Sequence, residues 1–381
     1  KESPNNLFEL SFGDGVNLGV APVAGNKIIV TYISTSGSVA NGAIRFTPAN
    51  GITINGTSYN VATTTASPSV GGDNKESIES IRKNAPYQYA AQNRMVTAED
   101  YTAIILRKYS QFITDIKSWG GEDNLEPKFG TIFTSILFEN DVSETLKTSI
   151  KTEISELVGQ LGIISFKIEY ADPIETHIET NIYFQINPKL TSLSLNTIEK
   201  SVTEVVTSYF TNTIGEFNRS FRRSNLLSLI DDISPAILSS RADIQLQQRF
   251  TPIIGRNFNY NLRFPVAIAA PDNDAYSVTS ATFTYGTTIC KIQNKLGTTT
   301  LQIVSASTGE VIVDAVGQYV PTTGVVNIVG FNPNTVIGGV SYIKLSVVPA
   351  NPSAVAPQRN DVLRYDSEKS FATPVLVTAT N

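Results

Sequence analysis

The sequence predicts an α+β, multidomain protein with an N-terminal β segment, two small α/β layers made of strand-helix-strand units, and a C-terminal all-β domain. Three observations carry that expectation. Charge is uneven: residues 71–250 hold 42 Asp, Glu, Lys and Arg in 180 positions, whereas residues 271–381 hold 13 in 111. Helical periodicity is confined to the charged middle. The tail is rich in Gly, Thr, Ser, Val and Ile, with short β-branched runs between turn residues. At 381 residues and 41% apolar content, the chain can build several cores and is too apolar for disorder. The expected divisions are 1–75 (β-rich segment and linker), 76–172 (α/β module), 173–255 (second α/β module) and 256–381 (all-β domain).

The elements follow in order. Residues 27–35 (KIIVTYIST) form a β-branched run between AGN and SGS, and read as a strand. Asn55-Gly56 sits between alternating apolar residues and predicts a hairpin over 51–61. Residues 62–75 lack periodicity and read as a flexible loop or linker. Thr97 and Asp100 resemble a capping box, followed by Tyr101, Ile104, Ile105 and Tyr109 on one helical face. Asp141 to Glu144 signals a second cap, with Leu146, Ile150, Ile154, Leu157, Val158 and Leu161 at helical spacing. Asn196 with Glu199 opens a third helix through Ile198, Val202, Val205, Val206, Tyr209 and Phe210. A shorter helix is expected near 224–233. Strands are expected at 112–118, 130–138, 163–170, 176–186 and 242–250, so two strand-helix-strand units appear near 130–170 and 176–250. Each helix needs a sheet face on which to bury its stripe.

Composition removes several function classes. A single cysteine, Cys290, permits neither an intramolecular disulfide nor a CxxC site, and a single histidine, His177, leaves no His-cluster zinc site. A net charge of −5 argues against a nucleic-acid partner, which needs a basic field. No apolar run approaches the ~18 residues of a membrane-spanning helix, so no membrane partner is expected. No signal peptide is visible. The chain starts at Lys1 in a loop-like KESPNN, as expected of a fragment of a longer protein.

Individual constellations read as structural. Glu122-Asp123 and Asp231-Asp232 are sequence neighbours that do not face one another, so they read as solvated loop or helix-end positions rather than a glycosidase pair. Alternation places His177 with Glu175 and Glu179, opposite Ile174, Thr176, Ile178 and Thr180. That face reads as an exposed, charge-paired strand surface in preference to an acid/base device. Arg219, Arg222 and Arg223 cluster before a short helix and read as an exposed turn, with an anion or a partner's carboxylates as the functional alternative. Phe12-Gly13-Asp14-Gly15 lacks the GxxxxGK[ST] spacing and reads as a tight turn. Cys290 reads as a small core residue, and Trp119-Gly120-Gly121 as a strand end with a packed aromatic. Residues 331–350 read either as an interface strand or as internal sheet core. No catalytic residue, metal ligand or cofactor is expected.

Two blocks carry a family resemblance. The first is Phe12-Gly13-Asp14-Gly15-Val16 with Gly19, Pro22, Gly25, residues 28–32 and Asn41-Gly42. The second is Ala85-Pro86, then Asn93-Arg94-Met95-Val96-Thr97-Ala98-Glu99-Asp100-Tyr101, and later Gly130 before a strand. Together they resemble the baseplate J-like proteins of contractile tails over roughly 1–250, with Met95 where the family usually has Ala. With its β-rich tail the chain also resembles the C-terminal part of the large wedge subunits of T-even-type phages. The resemblance implies a non-enzymatic structural subunit of a bacteriophage tail baseplate, assembled in the host cytoplasm and carried in the virion. It implies homodimeric contacts, contacts with other wedge proteins, and neighbouring wedges in a six-fold ring that rearranges on contraction. It marks Phe12, Gly13, Asp14, Gly15, Pro86, Arg94, Thr97, Asp100, Tyr101 and Gly130 as structural motif positions. The alternatives are an adhesin whose C-terminal β domain binds glycan, with Tyr276, Tyr285, Tyr319 and Tyr342 as candidate contacts, and a polysaccharide hydrolase working through Asp or Glu.

Overall fold

The computed structural model describes residues 10–376 apart from 18, 33, 35, 49–50, 64–68, 70–71, 73–74, 76–77, 79–80, 83–84, 87–88, 90–93, 125 and 164. Two compact units result, Lys1–Glu76 and Ser77–Asn381.

In the first unit the hairpin forms where the turn chemistry demands it. Strand β1 (Ile52–Ile54) pairs antiparallel with β2 (Thr57–Tyr59). Asn55 and Gly56 both take positive φ, 50° and 80°, which is the two-residue turn whose twist matches the strands. The strand expected at 27–35 is absent from the described part, 27–32 and 34, which has no ladder partner. High β propensity needs a neighbouring strand to act on, and none of the described residues supplies one. Most of the linker expected at 62–75 lies outside the described residues.

The second unit begins with a compact module. Helix α1 (Ala98–Tyr109) is opened by a complete capping box, with Thr97 accepting from Asp100 N and Asp100 accepting from Thr97 N. Strand β3 (Ile113–Gly120) pairs antiparallel with β4 (Thr131–Phe138). Helix α2 (Glu144–Leu161) then crosses over to β5 (Lys167–Tyr170), which lies parallel to β4. Ser143 caps α2 by accepting from Leu146 N. The two helices bury Tyr101, Ile105, Ile150, Ile154 and Val158 with Ile116, Ile132 and Ile136 of the sheet.

The rest of the unit is organised on one long strand, β6 (Ile174–Ile186). Helix α3 (Leu195–Thr213) follows, capped by Ser194 through Thr197 N. The cap lies two residues before the expected Asn196, because Ser194 alone presents its oxygen to the first free N–H groups. A two-residue strand β7 (Phe221–Arg222), helix α4 (Arg223–Asp231) and β8 (Ile237–Phe250) come next. Strands β6 and β8 are antiparallel, so this unit is a long hairpin with helices inserted and not a parallel crossover.

The C-terminal part is all-β: β9 (Phe258–Arg263), β10 (Val278–Ser280), β11 (Phe283–Tyr285), β12 (Thr288–Asn294), β13 (Thr300–Ser305), β14 (Val311–Val320), β15 (Val325–Phe331), β16 (Thr335–Val336), β17 (Ile343–Val347), β18 (Ala354–Val355), β19 (Asp361–Tyr365) and β20 (Phe371–Leu376). All of them but β18, which pairs with β7, enter the sheet that β6 and β8 begin. The order is β19-β6-β8-β17-β10-β12-β13-β14-β15-β9, with β20 also on β6. Residue 255 therefore separates two stretches of one ladder. Among the two readings of 331–350, internal core holds for its strand β17: Ile343, Leu345 and Val347 are buried between β8 and β10. One apolar cluster runs from Ile178 and Phe210 through Leu246 and Val278 to Ile292 and Val326.

Gly317 carries the irregularity between β13 and β14. Its φ is +147°, and a Cβ there would stand 2.0 Å from the Asn327 carbonyl oxygen on β15. Gly317→Ala must therefore push β15 away or break its ladder. We expect a loss of more than about 2 kcal/mol in a urea titration; a loss under about 0.5 kcal/mol would show that the strands move apart freely there.

Candidate assembly core

The motif residues fall into separate places. Asp14 closes a tight turn, its Oδ1 accepting from Val16 N and Asn17 N, both at 2.9 Å, with Gly15 at φ +77°. Phe12 in this turn is exposed and Gly13 half-buried. In the second unit Pro86 and Arg94 are exposed. Thr97 and Asp100 cap α1. Tyr101 is buried, and its hydroxyl lies by Gly162, where an added Cβ would come within 3.0 Å of it. Burial raises the Tyr101 pKa, and the charge of Asp100 adds to that. Met95 bridges to Gly162 and donates from its N–H to Leu161 O. Gly130, at φ +70°, accepts from Lys167 N where β4 and β5 begin. Within the second unit, then, Met95, Thr97, Asp100 and Tyr101 act together, tying the start of α1 to the end of α2.

The module of α1, α2 and β3–β5 docks on the main sheet through a built junction. Asp115 on β3 accepts from Ile116 N at 2.9 Å and from Phe217 N at 2.7 Å. Burial raises the Asp115 pKa and these two hydrogen bonds partly oppose it. The Phe217 ring joins Leu137 and Val362 in a small buried cluster. Lys117 bonds Asn218, Arg359 donates to Asp123 O, and Asn360 donates to Asp172 O. A cleft of about 480 Å³ lies nearby, lined by Glu139, Lys147, Lys151, Asp172, Glu175 and Arg364 among others.

Residues far apart in sequence converge on the opposite face of β6 from its apolar core. Gln247 donates to Glu179 and to Asp366 Oδ2, the latter at 2.8 Å. Lys344 donates to Asp366 at 2.8 Å and to Glu368 at 3.0 Å; Arg249 donates to Asp366 at 3.2 Å. Ser346 completes Glu179 at 2.9 Å. Burial alone would raise the Asp366 pKa; the hydrogen bonds from Lys344 and Gln247 and the two nearby cations outweigh it and hold it at about 2. The expectation of an exposed face at His177 is corrected: the residue is only 8% exposed. Burial, reinforced by Arg249, lowers its pKa to about 4 against the pull of Glu175 and Asp366. The charges that surround it come from positions 249, 364 and 366, which local alternation cannot foresee.

The other constellations separate. Arg219 pairs with Glu216, Arg222 is exposed, and Arg223 donates to Ala242 O and Ser353, so Arg219 and Arg223 are engaged by different partners. Glu122, Asp123, Asp231 and Asp232 are exposed. Cys290 is buried in the core, and Trp119 stacks on Phe133 at 5.9 Å. Tyr319 is buried, so one of the four candidate sugar contacts is withdrawn from the surface, and Tyr342 lies half-buried under Arg249. Among the described residues no three His, Cys, Asp or Glu side chains are grouped to hold a metal.

Comparison with known proteins follows the same division. Residues 97–168, the α1–β5 module, match the family model of "Baseplate structural protein gp6, C-terminal domain I". Residues 176–249, from β6 to β8, match that of "C-terminal domain III". The chain is similar to phage baseplate wedge proteins. Baseplate wedge protein gp6 of Enterobacteria phage T4 is 28% identical over 255 residues, 64% of this chain and 38% of that protein. The chain thus spans well under half of that relative. A cryo-EM structure of the anti-feeding prophage baseplate overlaps 48% of this chain and 40% of its own at 15% identity and a TM-score of 0.32.

Two outcomes test the polar cluster. Asp366→Asn leaves Lys344 and Arg249 facing a neutral amide, and should cost roughly 2–4 kcal/mol at pH 7. For His177 the folded pKa lies below the unfolded ~6.5, so the unfolded chain binds the extra proton. Stability should fall as pH drops from about 6.5 to 4, by up to about 3 kcal/mol. His177→Gln should flatten that interval in pH-dependent urea titrations; an unchanged slope would show the ring accepts a proton in place.

Proposed function

We propose that this chain is part of a structural subunit of the baseplate of a contractile phage tail, located in the virion and acting without catalysis. The observation that carries this reading is the pair of matches, domain I then domain III of one baseplate structural protein, the first falling on the α1–β5 module and the second on the β6–β8 stretch of the main sheet. The architecture suits the role: a large sheet with a satisfied polar cluster makes a rigid body, and a smaller module docks on it through Asp115 and Phe217. Finer features belong to the same proposal. The FGDG and NRMVTAEDY blocks are read as baseplate J-like, with Thr97, Asp100 and Tyr101 serving folding. Copies pair within a wedge and contact other wedge proteins, and wedges close a six-fold ring. The Asp115–Phe217 junction is the hinge about which the modules turn when the tail contracts.

The direct test is location. An antibody to this chain should label purified tails at the baseplate end, and the chain should persist in tails stripped of fibres. Label along the sheath, or loss of the chain with the fibres, would contradict the reading and favour an adhesin.

A further inference from the structure

Strand β9 ends the order of the main sheet and pairs only with β15. It nevertheless folds back against β8, where Gln248 Nε2 donates to Arg263 O at 2.6 Å and Tyr260 meets the Phe250 ring at 4.8 Å. Among the described residues no ladder joins β9 to β6 or β8. The seam between them encloses a pocket of about 530 Å³, bordered by Glu175 and His177 of β6, Gln248 and Arg249 of β8, and Asn261 and Arg263 of β9.

This pocket is rich in donors and short of acceptors. Arg249 uses Nε on Gln247 and Nη2 on Asp366, and Arg263 uses Nη2 on Asp361. Among the described residues, Nη1 of Arg249 and both Nε and Nη1 of Arg263 have no acceptor. A guanidinium carries five donors and no acceptor, so each arginine has capacity left. Asp366 and Asp361 do not border the pocket. Glu175 does, but Arg364 of β19 donates to it at 3.1 Å. The His177 Nδ1 is buried without a partner.

We infer that this pocket binds a small molecule through one oxyanion group, a phosphate or a carboxylate, gripped by Arg249 and Arg263 with the His177 ring as a further donor. Charge-assisted bonds from guanidinium to oxyanion are among the strongest available to a protein. The two side chains are only 30% and 19% exposed, so water screens them less than it would on an open surface. A neutral imidazole offers one N–H, and a bound anion selects the tautomer that points it inward. The volume exceeds that of a bare phosphate, and Ile174 and Leu262 on the wall accept a short apolar remainder. The ligand would tie β9 to β6 and β8 where no ladder does. This goes beyond the structural-subunit reading and does not rest on it.

His177 is the single histidine of the chain, so labelling histidine with carbon-13 at Cε1 gives one imidazole resonance. The test follows it at pH 7 during titration with inorganic phosphate and, separately, with acetate, each against sodium chloride of equal ionic strength. The expected result is a saturable shift with half-saturation below about 10 mM for at least one of the two, and none with chloride. Asn261 is exposed at the pocket; Asn261→Asp adds a negative charge there at constant size and should weaken binding at least about tenfold. Gln318→Glu makes the same charge change on exposed β14 and should leave binding unchanged. Arg263→Gln should abolish the shift, but it also strands buried Asp361, so Asn261→Asp decides. Tighter binding of phosphate assigns a phosphate ester, and tighter binding of acetate a carboxylate. No saturation with either anion, an equal shift with chloride, unchanged binding in Asn261→Asp, or equal weakening by Gln318→Glu would each overturn the inference. A chain that labels the baseplate yet binds neither anion would remove this site and leave the structural-subunit reading standing.

Discussion

The pairing of β6 is the constraint on which the rest of the second unit depends. Thirteen residues long, it holds β8 along one edge and β19 and then β20 along the other. Its strict alternation sends Ile178, Ile182, Phe184 and Ile186 into the apolar core and sends Glu175, His177 and Glu179 to the other side. A slip of one residue would exchange those faces, placing His177 and Glu179 among Phe210 and Leu246. The Asp366 cluster opposes such a slip, since Glu179 and Asp366 share Gln247 only in the observed register. The polar cluster and the apolar core are two consequences of one ladder.

The contrast between the two units is physical rather than compositional. Both are rich in β-branched and aromatic residues. The second unit brings strands from residues 113 to 376 into contact, and it buries its large side chains almost wherever two layers meet. Among its described residues the first offers a hairpin of three residues per strand and a run at 27–32 that makes no backbone ladder. A two-stranded ribbon is marginal by itself.

What was legible in the sequence was local. The Thr97–Asp100 box, the apolar stripes of α1, α2 and α3, and the Asn55-Gly56 turn each involve residues within one or two turns of each other, and each forms as expected. Side-chain alternation along β6 was also readable, including the segregation of His177 from Ile178. Burial of that face was not, because Lys344 and Asp366 lie more than 160 positions away. The strand expected at 27–35 failed for a related reason: propensity names a residue's preference, and pairing supplies the strand. The fusion of the all-β tail with β6 and β8 leaves no local trace, since charge density changes near residue 271 while the ladder continues through it.

The central claim is that β6 and β8 are completed by strands from the tail. Residues 77–255 alone test it most directly. That fragment keeps the α1–β5 module but removes β17 from β8, β19 and β20 from β6, and Asp366 and Lys344 from the polar cluster. Followed by urea titration with near-ultraviolet dichroism as one probe and the β6–β8 amides as another, it should show a folded α1–β5 module and unprotected β6–β8 amides. A single cooperative transition with β6 and β8 protected as in the full chain would contradict the account.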